Sequence, residues 1–124
     1  MELLGGIQRM EHAIQTPVGD PAWRPAMSRA VAQLKAAFAE HDSGLYAKVL
    51  DDAPRLAHDL DDLVGHHRSV WTALDEFEDR LRDPGAGEDL RWEADRLIQE
   101  VWQYRQKGAD LLYEAYETDI GGET

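Results

Sequence analysis

From residue 56 to residue 81 the chain places Leu56, Leu60, Leu63, His67, Val70, Leu74, Phe77 and Leu81 at alternating steps of four and three. That spacing lines one stripe of an α-helix and is incompatible with the two-residue period of a strand. Every position in the series is apolar except His67. Leu90, Ala94, Leu97, Val101, Tyr104, Gly108, Leu111 and Ala115 repeat the pattern on a fourth segment, again with one polar member, Tyr104. A second segment carries Met27, Val31, Leu34, Phe38, His41 and Leu45, and a short first one Leu3, Ile7, Met10 and Ile14. Four amphipathic helices, each with one buried stripe, predict an all-α antiparallel bundle of up-down-up-down topology, because short connections favour neighbours that run in opposite directions.

The punctuation agrees. Pro17 and Gly19 separate the first two helices, and Asp20 before Pro21 is an N-cap followed by proline, which suits the first helical position because it has no N–H to satisfy. Ser43 and Gly44 are expected to end the second helix, and Asp51 and Asp52 to cap the third. Residues 45–50 read as an apolar link or one extra helical turn. Asp83 to Gly87 forms a turn, and Gly121 with Gly122 stops the last helix.

With 124 residues, 43% of them hydrophobic, residues 1–124 are expected to form a single domain with its own core. A formal charge of −12 argues against nucleic acid and against an anionic membrane surface, and no run approaches the roughly 20 apolar residues of a membrane span. No basic patch stands out along the chain. Cysteine is absent, which removes disulfide and thiolate chemistry and suits a cytoplasmic protein. The N-terminal stretch is too short and too acidic for a signal peptide.

His41, His67 and Tyr104 are thus polar residues on stripes that call for apolar ones. Heights follow from the rise of about 1.5 Å per residue: His67 and Tyr104 lie roughly 22 and 24 Å from one end of such a bundle, and His41 about one turn lower. Glu2 comes out near 21 Å on the same scale, whereas His12 lies only about 6 Å down. Imidazoles converging between helices are what a transition metal needs, with Glu2 or Asp42 to supply oxygen and Tyr104 a phenolate or a hydrogen bond to a bound oxygen species. The same residues also satisfy a purely structural role, a buried His paired with a Tyr hydroxyl fixing helix register without a cofactor.

Two stretches resemble a known family. One runs from Glu40 and His41 through Gly44, Leu45, Tyr46, Ala47, Val49 and Leu50 to Ala53, Pro54, Arg55, Leu56, Ala57 and His58. The other runs from Tyr104, Arg105, Gln106, Lys107, Gly108, Ala109 and Asp110 through Tyr113, Glu114, Ala115 and Tyr116 to Asp119, Ile120, Gly121 and Gly122. Both are similar to small hemerythrin-like proteins of the HHE cation-binding type. The resemblance covers under half of the chain. It implies a four-helix bundle with a non-haem iron centre, often dinuclear, that binds oxygen, nitric oxide or peroxide species.

The chain also departs from that pattern. Leu45 and Tyr46 stand where a carboxylate is expected after His41, Trp71 follows His67 by one turn where a second ligand is expected, and Tyr104 replaces the fourth-helix histidine. The set therefore implies a mononuclear or a lost site rather than a complete di-iron one. Two expectations stay open. One is a small-gas or peroxide-binding protein in which His41, His67, Tyr104, Glu2 and Asp42 provide the metal ligands. The other is a metal-free descendant acting as an interaction scaffold, as a homodimer or with a protein partner.

Other residues read as structural. His58 is expected to face solvent, His66 to lie off the stripe, and His12 to be solvated beside Glu11. The acidic runs Asp59–Asp62 and Asp75–Asp79 read as solvated faces. Gly65 and Gly108 disturb their helices and call for close packing or free space beside them. No nucleophile elbow, phosphate loop or zinc-protease spacing is present, so catalysis beyond redox chemistry at a metal is not expected.

Overall fold

The computed structural model describes residues 3–17, 19–40, 43–85, 87 and 89–118. Among them the secondary structure is entirely helical. Five α-helices, α1 (Leu3–Ala13), α2 (Trp23–Glu40), α3 (Ser43–Asp52), α4 (Ala57–Leu81) and α5 (Asp89–Leu112), are joined by a 3-10 turn at Pro54–Leu56 and followed by a π-helical segment, Tyr113–Thr118. Helix α1 packs on α2, α2 on α4, α4 on α5, and α5 back on α1, so these four close a ring. Helix α3 and the 3-10 turn lean on α4. No helix of the described residues is long and apolar enough to cross a membrane.

The buried residues form one apolar cluster, and it is built from the stripes read in the sequence. Leu60, Leu63, Val70, Leu74, Phe77 and Leu81 of α4 face Leu90, Ala94, Leu97, Val101, Tyr104 and Leu111 of α5. Met27, Val31, Leu34 and Phe38 of α2, with Ile7 and Met10 of α1, complete it. His67 is the exception: it is half-buried, the one member of the α4 stripe that reaches the surface.

Close approach of α1 and α2 rests on a glycine. A Cβ on Gly6 would lie 2.8 Å from Leu34 Cδ1 and 3.1 Å from Leu34 Cα, well inside contact distance, so the bare backbone lets α1 settle into α2. Gly65 and Gly108 differ from this. Nothing lies within 4 Å of a Cβ on Gly65, and one on Gly108 would meet only Leu63 Cδ2 at 4.0 Å. Tight packing explains neither.

The ends of the helices are tied by side chains. Asp20 does not cap α2 at Pro21 as expected: the helix begins at Trp23, and Asp20 Oδ1 accepts the Ala22 N–H at 2.9 Å in the turn ahead of it. Arg24 Nη1 donates to the carbonyls of Leu81 (2.8 Å) and Asp83 (3.0 Å), satisfying acceptors at the C-terminus of α4. Asp83 Oδ1 accepts the Gly85 N–H in the predicted turn. Lys35 bridges α2 to Asp75 and Glu78 of α4, which hold its ammonium above the usual lysine range.

Further sequence expectations need correction. The link at 45–50 belongs to a ten-residue helix, α3, and Ser43 and Gly44 open that helix instead of ending α2, which stops at Glu40. Asp51 and Asp52 therefore end a helix instead of capping the next one, and α4 starts after the 3-10 turn with no side-chain cap. Asp52 is used differently. Its Oδ2 accepts from Lys48 Nζ and from the Tyr116 hydroxyl, both at 2.9 Å, which ties α3 to the π-helical segment. Hydrogen bonding first to Lys48 and then to Tyr116 holds its carboxyl below the usual aspartate range.

Candidate functional site

Of the five residues singled out as metal ligands, His41, Glu2 and Asp42 lie outside the described residues. The other two, His67 and Tyr104, come together. Their ring centroids are 5.4 Å apart in an edge-on arrangement, between α4 and α5, as the equal heights predict. Phe38 of α2 covers both, 4.5 Å from His67 and 5.0 Å from Tyr104.

His67 Nε2 lies 3.1 Å from the carbonyl oxygen of Phe38. A carbonyl only accepts, so Nε2 carries the hydrogen, and in the neutral ring Nδ1 is the nitrogen with the lone pair. Phe38 sits in the last turn of α2, where carbonyls run out of intrahelical donors, so the imidazole of α4 supplies what the helix cannot. The ring also lines a shallow groove with Ala39, Val64, Arg68 and Trp71.

Tyr104 is fully buried, and its hydroxyl is hydrogen-bonded to that of Tyr46 on α3. A phenol at this depth needs a partner, because an unmet hydroxyl in an apolar core costs roughly 1–3 kcal/mol. Tyr46 is half-buried and lines a cleft of about 150 Å³ with Val49, Leu63, Gly108 and Leu111. Tyr46 thus stands between this cleft and the Tyr104 hydroxyl to which it is hydrogen-bonded.

His66 joins the same cluster, its ring edge-on to Tyr104 at 5.8 Å. Its Nδ1 is buried and has no hydrogen-bond partner. Burial, and then the positive charge of Lys107, depress its pKa below the ordinary 6.5, with Glu100 pulling weakly the other way. Periodicity singles out neither His66, which lies one position off the stripe, nor Tyr46, which falls in the stretch read as a link. Only the packing of α3 brings Tyr46 into reach.

The remaining candidates stand apart. His58 is exposed, 3.7 Å from Asp62. Glu11 is not paired with His12, since its Oε2 accepts from Trp102 Nε1 at 3.3 Å across to α5. Among the described residues no group of three or more His, Cys, Asp or Glu side chains is placed to hold a metal ion. No family model matches this sequence, and no curated protein or solved structure is significantly similar to it.

Proposed function

We propose that the chain is a hemerythrin-like antiparallel up-down-up-down four-helix bundle, with α1, α2, α4 and α5 as its four members and α3 as an inserted brace. Its His–Tyr cluster is, on this reading, a site for one non-haem iron at which oxygen, nitric oxide or a peroxide species is bound or sensed. The observation that carries the proposal is the convergence of His66, His67, Tyr46 and Tyr104 at one level of an otherwise apolar core.

The donor set suits a single ion better than a carboxylate-bridged pair. An imidazole that donates one N–H to a backbone carbonyl, as His67 does to Phe38, has the tautomer and fixed ring of a metal-ligating histidine, with its second nitrogen available. Tyr104 adds a phenol oxygen, a hard donor suited to ferric iron. His41, Glu2 and Asp42 are the sequence candidates for the other positions. Iron held there supplies a coordination position for a diatomic or peroxide ligand.

The chain's own residues set the conditions. The Tyr46 hydroxyl holds the Tyr104 oxygen in a hydrogen bond and so fixes its position in the cluster. Phe38 packs on the rings of Tyr104 and His67, and Tyr104 is fully buried while His67 keeps a face at the surface.

A second reading is a metal-free scaffold of the same fold, acting through contacts with a second copy or another protein. One observation favours it: His67 Nε2 and the two tyrosyl hydroxyls already have partners within the chain. Titration of the chelator-treated protein with ferrous iron, followed by air oxidation, separates the readings. The iron site predicts a visible phenolate-to-iron charge-transfer band that Tyr104→Phe abolishes. The scaffold predicts no band and a melting temperature indifferent to iron.

A further inference from the structure

In a chain where about one residue in five is acidic, the groove between α1 and α2 is lined by no carboxylate at all. Its walls carry Arg9 and His12 from α1 and Arg29 and Gln33 from α2, and its floor is made of small side chains such as Ala13 and Ala30. Each pair lies about one helical turn apart on its own helix, so its members share the face that lines the groove. Arg55, Arg80 and Arg82 are paired with Glu114, Glu93 and Asp79. By contrast, Arg9, Arg29 and His12 have no hydrogen-bonded or ion-paired partner among the described residues.

We infer that this groove is an anion site for a phosphate dianion, free or as a small monoester. Two guanidinium forks on opposite walls match the oxygen geometry of phosphate, which Arg binds bidentately, and His12 and Gln33 offer further N–H donors. The small floor lets a ligand lie close to the helices. The Gly6–Leu34 approach packs α1 closely against α2, which sets the spacing of the two walls. The surrounding negative charge disfavours larger polyanions such as nucleic acid, which would extend beyond the groove. The site is independent of the His–Tyr cluster.

The test is backbone chemical-shift titration with inorganic phosphate and with phenyl phosphate, each against sodium chloride at matched ionic strength. Saturable shifts confined to α1 and α2 are expected, absent with chloride. Arg9→Gln and Arg29→Gln should each weaken binding by about tenfold, the worth of one charge-assisted hydrogen bond, while Arg91→Gln, on an exposed face of α5, leaves it unchanged. Tighter binding of phenyl phosphate assigns a monoester, and equal binding assigns free phosphate. No saturation, an equal response to chloride, or equal weakening by Arg91→Gln overturns the proposal. The arginines are exposed, and an unchanged far-ultraviolet circular dichroism spectrum verifies that each variant is folded.

Discussion

His67 on α4 closes the last turn of α2 by hydrogen-bonding the Phe38 carbonyl through Nε2 at 3.1 Å. The contact links two helices far apart in sequence. Removing it strands a carbonyl that is part of the interface, so His67→Ala is expected to lower unfolding free energy by about 1–3 kcal/mol. His67→Gln, which can restore a donor, should recover part of that loss. Urea unfolding of the three proteins measures it, and identical stabilities would show that the bond contributes nothing.

Tyr46 and Tyr104 are expected to behave as a coupled pair. Each Tyr→Phe change leaves a hydroxyl without one of its partners and should cost about 1 kcal/mol. The double variant removes both and should cost less than the sum of the two. A double-mutant cycle gives the coupling directly, and strict additivity would mean that the two hydroxyls do not interact in solution.

The glycines predict opposite signs. Gly65→Ala adds a methyl to open space on an exposed helical face and should raise stability by about 1 kcal/mol. Gly6→Ala pushes a methyl against the Leu34 backbone and should lower it by about 1–3 kcal/mol. Thermal melts of both variants check the pair, and a shift of the same sign in both would contradict the helix packing described.

His66 makes stability depend on pH. Burial holds its folded pKa below the ordinary 6.5, so the unfolded chain takes up a proton before the folded one does. Its contribution is therefore complete above about pH 6.5 and is lost as the pH falls toward the lower folded value. Between pH values of about 7.5 and 5.5, the urea midpoint should fall more for the native protein than for His66→Gln. An equal fall in both would place the dependence elsewhere.

Much of the helical core was legible because a four-three alternation leaves little choice: Leu60, Leu63, Val70, Leu74 and Phe77 are buried as their spacing requires. The meeting of His67 with Tyr104 was also legible, since equal rise from a shared end sets equal height. What could not be read depended on tertiary contacts. Tyr46 enters the cluster because α3 is a helix, and its short apolar stretch carries too few turns for a clear period. His66 gains its buried face from the ring of Tyr104. The α1–α2 groove joins Arg9 to Arg29 across twenty positions of sequence, so no run of basic residues announces it. Asp52 was misread as a cap because an acidic pair before a proline fits a helix start and a helix end alike.

The most direct test of the iron proposal is elemental analysis of protein purified without a histidine tag, native and His67→Ala, after iron is offered under reducing conditions. The account predicts near-stoichiometric iron in the native chain and its loss in the variant. Iron absent from both, or retained equally by both, would contradict it.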